Sequence, residues 1–250
     1  MSILVERHDA VTVVTLNRPE VRNALDGATV TAVGQVLAAA EHDDTVRAIV
    51  LTGAGERAFC SGMDLKAFAT GASLTTETGP GLAIFTQRIY PKPIIAAVNG
   101  AAVAGGFELV LACDLVVAAE EATFGLPEVK RGLVAAGGAT NLPRRIPLPL
   151  ALEIALTGNW MTAARAFQIG LVNRVVPRDQ VLSEALSLAQ TIASNGPLAV
   201  RITKELMVPQ ATGATGVEIG AATAPVFASN DAQEGAVAFL EKRPPRWTGR

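Results

Sequence analysis

Two glutamates interrupt runs that otherwise carry no charge. Glu108 follows Gly105-Gly106-Phe107 inside a stretch that is apolar from Ala101 to Cys113, and Glu128 follows Phe124-Gly125-Leu126-Pro127. Two carboxylates brought to one pocket end repel each other and lose solvent, which raises the pKa of one of them. An acid and a base can then coexist near neutral pH and share a proton transfer. Each also has a plainer role: Glu108 would stabilise a helix N-terminus, and Glu128 alone reads as an exposed loop acid. Gly105 and Gly106 let a backbone approach a ligand at a helix start, where unpaired N–H groups favour a developing oxyanion. The same pair equally permits tight packing of that helix on a sheet, and spacing leaves both readings open. A further glycine turn, Ser61-Gly62-Met63-Asp64, also stands where a strand should end.

Strands and helices must bring these turns together. Met1 to Arg7 alternates as a first strand, and Val11 to Leu16 is a β-branched run closed by the turn Asn17-Arg18-Pro19. From Asp26 to Glu41, Val30, Val33, Val36 and Leu37 recur at helical spacing behind Asp26 as N-cap. Buried strands are expected at Val46 to Leu51 and Ile94 to Val98, a helix from Gly105 through Ala112, and a returning strand at Leu115 to Ala118. This alternation predicts an α/β fold of repeated βαβ crossovers. After Val172 to Pro177 the pattern turns helical, over Leu182 to Ser194, Pro197 to Met207, Val217 to Ser229 and Asp231 to Leu240. Thr70 to Gly81, rich in Thr and Gly, is the expected lid. His8 at an edge turn and His42 at a helix end are given no catalytic role.

Composition narrows the function. The 250 residues suffice for one large core with a helical appendage, without a metal or disulfide. Lys and Arg total 21 against 23 Asp and Glu, so no global field attracts nucleic acid or an anionic membrane. Cys60 and Cys113 fit buried thiols in a reducing cytoplasm. The N-terminus lacks a signal pattern, and the most apolar stretch, Leu109 to Ala119, is broken by Asp114 and falls short of a membrane span. No G-x-G-x-x-G turn follows the first strand, which argues against a pyridine-nucleotide enzyme.

Ala58-Phe59-Cys60-Ser61-Gly62-Met63-Asp64-Leu65-Lys66 and Asn99-Gly100-Ala101-Ala102-Val103-Ala104-Gly105-Gly106-Phe107-Glu108-Leu109 resemble the two oxyanion motifs of the crotonase (enoyl-CoA hydratase/isomerase) superfamily. The resemblance continues through Asn17-Arg18-Pro19, Phe124 to Glu128, Ile169 to Asn173 and Phe239 to Arg243, in the family's order. It implies a spiral of repeated ββα units over residues 1–195, with a helical subdomain over 196–250 that assembles the oligomer and completes a site. It implies that the Met63 and Gly105 amides polarise a thioester carbonyl, and that Glu108 and Glu128 handle the water and proton of an enoyl-CoA hydratase. The backbone at Arg22 and Ala24, with Lys66, would contact CoA, and Lys242 and Arg243, from this or a neighbouring subunit, would meet its phosphates; a solvated charge cluster, which also holds Arg246 and Arg250, is the equal alternative for that tail. Coenzyme A is then part of the substrate, an acyl-CoA thioester, and neither a separate cofactor nor a metal is expected. The family implies a homotrimer or dimer of trimers. Where family hydratases often carry Pro-Gly, this chain has Val134-Ala135, which keeps open dehydratases acting on other 3-hydroxyacyl-CoA compounds. An isomerase or a dehydratase of carnitinyl-CoA type, using the same oxyanion hole on a different substrate, is the alternative within the enzymes. Tight CoA binding without turnover would instead mark a noncatalytic acyl-CoA-binding protein. Phe107 reads as core filling.

Overall fold

A computed structural model of the chain describes residues 1–64, 81–87, 89–135, 138–207 and 216–250. In chain order its strands are β1 (Ile3–His8), β2 (Val11–Leu16), β3 (Ala48–Gly53), β4 (Ala58–Cys60), β5 (Ile94–Val98), β6 (Ala101–Val103), β7 (Leu115–Ala119), β8 (Thr123–Gly125), β9 (Trp160–Thr162) and β10 (Arg174–Val176). The helices are α1 (Gly27–His42), α2 (Ala83–Thr86), α3 (Gly105–Ala112), α4 (Leu142–Arg145), α5 (Leu148–Thr157), α6 (Ala163–Gln168), α7 (Val181–Ala193), α8 (Pro197–Met207), α9 (Gly216–Phe227) and α10 (Asn230–Glu241).

The strands form two sheets. The larger has the order β1-β2-β3-β5-β7-β10, parallel except for the β1–β2 hairpin, and the smaller has the order β4-β6-β8-β9. After β2 the chain alternates between them: β3 enters the large sheet and β4 the small one, then β5 and β6, then β7 and β8, with α2 and α3 between successive pairs. The repeating unit is therefore ββα. The βαβ crossovers expected from periodicity are corrected on this point, because each long strand is followed within a few residues by a strand of only three.

Every residue of β3 and β5 is buried, which is why these segments read as continuous apolar runs and not as alternating ones. Helix α7 covers β3, β5 and β7. Asp26 caps α1 as expected, its Oδ1 accepting from the Thr29 amide at 2.8 Å and the Thr29 hydroxyl at 2.7 Å. Strand β3 begins at Ala48 and not at Val46, because the Val46 amide is spent closing a turn on the Asp43 carbonyl. The expected lid lies outside the described residues apart from Gly81. Among the described residues, no helix is long and apolar enough to cross a membrane.

Candidate active site

Strands β4, β6 and β8 are parallel neighbours, so their C-terminal ends lie side by side, about 4.8 Å apart from strand to strand. The three glycine turns of the sequence leave from those three ends. Met63 follows β4, Gly105 opens α3 after β6, and Glu128 follows β8 in the short helical turn Pro127–Arg131. The small sheet thus gathers residues scattered over 66 positions, from Met63 to Glu128.

Two backbone amides are aimed into this convergence. The strip 22–25 runs beside 61–64: Ser61 donates to the Arg22 carbonyl at 3.1 Å, Leu25 to Gly62 at 2.8 Å and Asp64 to Leu25 at 2.9 Å. In such a parallel pairing the amide of the intervening residue, Met63, points away from the strip. Neither the Met63 nor the Gly105 amide finds an acceptor among the described residues. They face a common space, since a Cβ placed on Gly105 would lie 3.7 Å from the Met63 nitrogen. Gly62, at φ +85°, has no room for a side chain: its Cβ would sit 2.8 Å from the Gly105 nitrogen.

The glycine pair divides its two possible roles. A Cβ on Gly106 would come within 2.0 Å of the Cys60 carbonyl oxygen, so Gly106 is there for close packing of α3 on β4. Gly105 meets nothing nearer than 3.4 Å and borders the open space instead. Just before it, Ala104 holds φ 52° and ψ −130°, a backbone region natural only to glycine. Its amide donates to the Gly125 carbonyl at 2.9 Å, tying the ends of β6 and β8 together. At the other end of α3, Arg145 donates to the Cys113 carbonyl at 2.8 Å, placing positive charge where the helix dipole favours it.

Glu108 lies buried in the first turn of α3, and its Oε1 accepts from the Ala139 amide at 3.1 Å. Glu128 is half-buried, and its Oε2 is buried without a hydrogen-bond partner among the described residues. Burial pushes the Glu128 carboxyl above its ordinary value, and the Glu108 charge adds to that push, while Glu128's own amide and Arg131 work against it. The carboxylate pair expected from sequence is therefore brought together. Phe107 is fully buried, its ring 5.6 Å from that of Phe124, so it fills core.

Other expected contacts fare differently. Arg22 and Ala24 sit in the strip beside Met63; the Arg22 side chain is exposed, and the Ala24 carbonyl is taken by Arg18 at 2.8 Å. Lys66 lies outside the described residues. Lys242 is exposed as the left-handed cap of α10. The tail after it anchors through Trp247 to Ser194 and Arg47, at the start of β3 and opposite the corner that leads to Met63. Arg243 is held in ion pairs by Glu234 and Glu241. Sequence reasoning missed the Ala139 amide, a backbone group with no residue-type signal, and Arg18, read only as part of a turn.

A cavity of about 610 Å³ opens between Thr15, Thr52, Asn99 and Arg178 and touches none of Met63, Gly105, Glu108 or Glu128. The convergence of the three turns marks the candidate site.

Known proteins resemble the chain in sequence and fold. The sequence profile of the enoyl-CoA hydratase/isomerase family matches residues 6–250. The chain belongs to that family. As a family member it is an enzyme of hydro-lyase type. A carnitinyl-CoA dehydratase from Salmonella paratyphi A is 40% identical over all of this chain and 99% of its own length. The crystal structure of an enoyl-CoA hydratase from Mycobacterium marinum superposes with a TM-score of 0.94 at 47% identity, covering 100% of this chain and 99% of the other. A carnitinyl-CoA hydratase from Mycobacterium avium gives 0.80 at 45% identity with the same coverage. The ββα spiral is thus the family's fold, as expected from the resemblance.

Proposed function

We propose that the chain adds water reversibly to a trans-2-enoyl-CoA, giving a 3-hydroxyacyl-CoA. The thioester carbonyl accepts from the Met63 and Gly105 amides, which stabilise the enolate that forms as water attacks the β-carbon. Glu108 takes a proton from that water, and Glu128 donates one to the α-carbon. The observation that carries this reading is the carboxylate pair, with the buried Oε2 of Glu128 that has no hydrogen-bond partner among the described residues and its raised affinity for a proton. A carboxyl that holds its proton more tightly than an ordinary glutamate is what an α-carbon donor needs. The products of a chain-length series of 2-enoyl-CoA thioesters test it: 3-hydroxyacyl-CoA must appear, and a shifted double bond as sole product would indicate an isomerase.

The names of the Salmonella and M. avium relatives favour a second reading, in which the same residues dehydrate carnitinyl-CoA. Val134-Ala135 bears on this choice: Val134 is exposed and Ala135 packs against the core. Offering carnitinyl-CoA and a straight-chain 3-hydroxyacyl-CoA in parallel separates the two.

CoA itself would be held by Arg22, Ala24 and Lys66, and by Lys242 of a neighbouring copy in a trimer or dimer of trimers, with residues 196–250 as the assembling part. Exposed Leu148, Leu152 and Leu156 along one face of α5, together with Trp160 and Phe167, support such an assembly. Cys60 and Cys113, both buried and free, support a reducing cytoplasmic setting. No cofactor beyond the substrate's own CoA is invoked.

A further inference from the structure

Arg18 lies outside the convergence of turns, yet its guanidinium touches three points on the path that orients the first oxyanion donor. Its Nη1 donates to the Ala24 carbonyl at 2.8 Å and lies 3.1 Å from Asp26 Oδ2, and its Nη2 lies 3.1 Å from Asp64 Oδ2. The side chains of Arg18, Asp26 and Asp64 are only 20%, 29% and 14% exposed. Asp26 caps α1, Ala24 belongs to the strip paired with 61–64, and Asp64 directly follows Met63. The Arg18 backbone is fixed in turn: its amide donates to Asn23 Oδ1 at 3.0 Å, and its carbonyl accepts from the Asn23 amide at 2.9 Å.

From this geometry we propose that Arg18 is a positioning residue for the Met63 amide. The direction of that amide is set by the pairing of Leu25 with Gly62 and Asp64. Among the described residues this pairing is an isolated bridge between Leu25 and Met63, extended only by the bond from the Ser61 amide to the Arg22 carbonyl. Arg18 grips both sides of the bridge at once, Ala24 and Asp26 on one side and Asp64 on the other. A planar fork can serve three acceptors in fixed directions, whereas a lysine ammonium supplies charge without that geometry. Because the strip 22–25 is also where CoA is proposed to dock, seating the nucleotide end and orienting the amide at the thioester become one mechanical unit.

The inference rests on the oxyanion reading of Met63, and the test separates the two. A chromophoric enoyl-CoA whose absorbance moves to longer wavelength when its carbonyl is polarised reports the donors directly, and turnover of a simple enoyl-CoA gives kcat and KM. In Arg18→Lys and Asp64→Asn, the shift of the bound chromophore should shrink and kcat should fall about tenfold to a hundredfold, the scale of misplacing a catalytic group by an ångström or less. Their circular dichroism should stay at the wild-type level. Arg18→Ala should behave the same way and regain part of the shift when guanidinium ion is added at millimolar concentration. Full polarisation and near-normal kcat in folded Arg18→Lys and Asp64→Asn would overturn the positioning role. Loss of structure and activity together, with no guanidinium rescue, would overturn it in favour of a merely structural pair. A wild-type protein that binds the chromophore without any shift would instead remove the oxyanion reading on which it stands.

Discussion

The two sheets divide the work of the molecule. The six-stranded sheet supplies long buried strands, with Ile49, Val50, Ile94, Ile95, Val116 and Val117 shut off from solvent. The four-stranded sheet has strands of only three residues; it too buries Phe59 and Phe124, but every proposed reacting group leaves from one of its ends. The longer sheet fixes where β3, β5 and β7 end; each short strand then carries the chain across to a second row of ends, where the turns meet. Stability and chemistry are adjacent in sequence and separate in space, so substitutions should sort by sheet.

The largest effect is expected at the carboxylates. Glu108→Gln and Glu128→Gln should each lower turnover by about 10²- to 10⁴-fold, the range for losing a general acid or base, with unfolding transitions close to wild type. Steady-state kinetics beside a denaturant titration checks this, and loss of folding in both variants would break the division. Next comes the glycine pair. Gly105→Ala places a methyl group beside the Met63 amide and should cost about 10²-fold in kcat with little loss of stability. Gly106→Ala drives a methyl into the Cys60 carbonyl and should destabilise by about 1–3 kcal/mol, read from thermal or urea melts.

In the large sheet, Ile95→Ala should remove about 2–5 kcal/mol of stability and leave kcat per folded molecule unchanged, a contrast that titrating active sites would sharpen. The smallest effect is electrostatic. Replacing Glu108 by Gln removes one of the two influences that raise the Glu128 carboxyl, so its titration, followed by carboxyl-carbon NMR, should move to lower pH while staying above the ordinary glutamate range because burial remains. A group whose proton affinity is raised by folding makes the folded state less stable as pH climbs through its titration. Glu128→Gln should therefore melt above wild type near neutral pH, with the advantage shrinking as pH falls through the Glu128 titration and gone below the unfolded value of about 4.3.

What could be read in the sequence follows the same line. Ile94–Val98, Gly105–Ala112 and Pro197–Met207 were legible to the residue, because a long buried strand or an apolar-periodic helix imposes its period on many positions. Ala58–Cys60, Ala101–Val103 and Thr123–Gly125 were not, since three residues cannot establish a period of two; the second sheet came only through the family resemblance. Helix α5 was not read from the sequence; its Pro149 stands in the first helical turn, where proline is at home. Glu108 and Glu128 were legible as carboxylates in apolar surroundings. The split between Gly105 and Gly106 was not, because it depends on which of the two faces Cys60 across the sheet interface. Arg18 was hidden because its partners at Ala24, Asp26 and Asp64 meet it only once the strip pairs with the turn after β4.

The central claim is that two main-chain donors and two carboxylates, delivered by neighbouring short strands, hydrate an enoyl thioester. Its most direct test follows the loss of conjugated enoyl-thioester absorbance with wild-type protein, Gly105→Ala and Glu128→Gln side by side, each verified as folded. The account predicts rapid loss with wild type, and in both variants binding of the thioester with turnover reduced by about two orders of magnitude or more. Wild-type rates in either folded variant, or no loss with the wild type on any chain length, would contradict it.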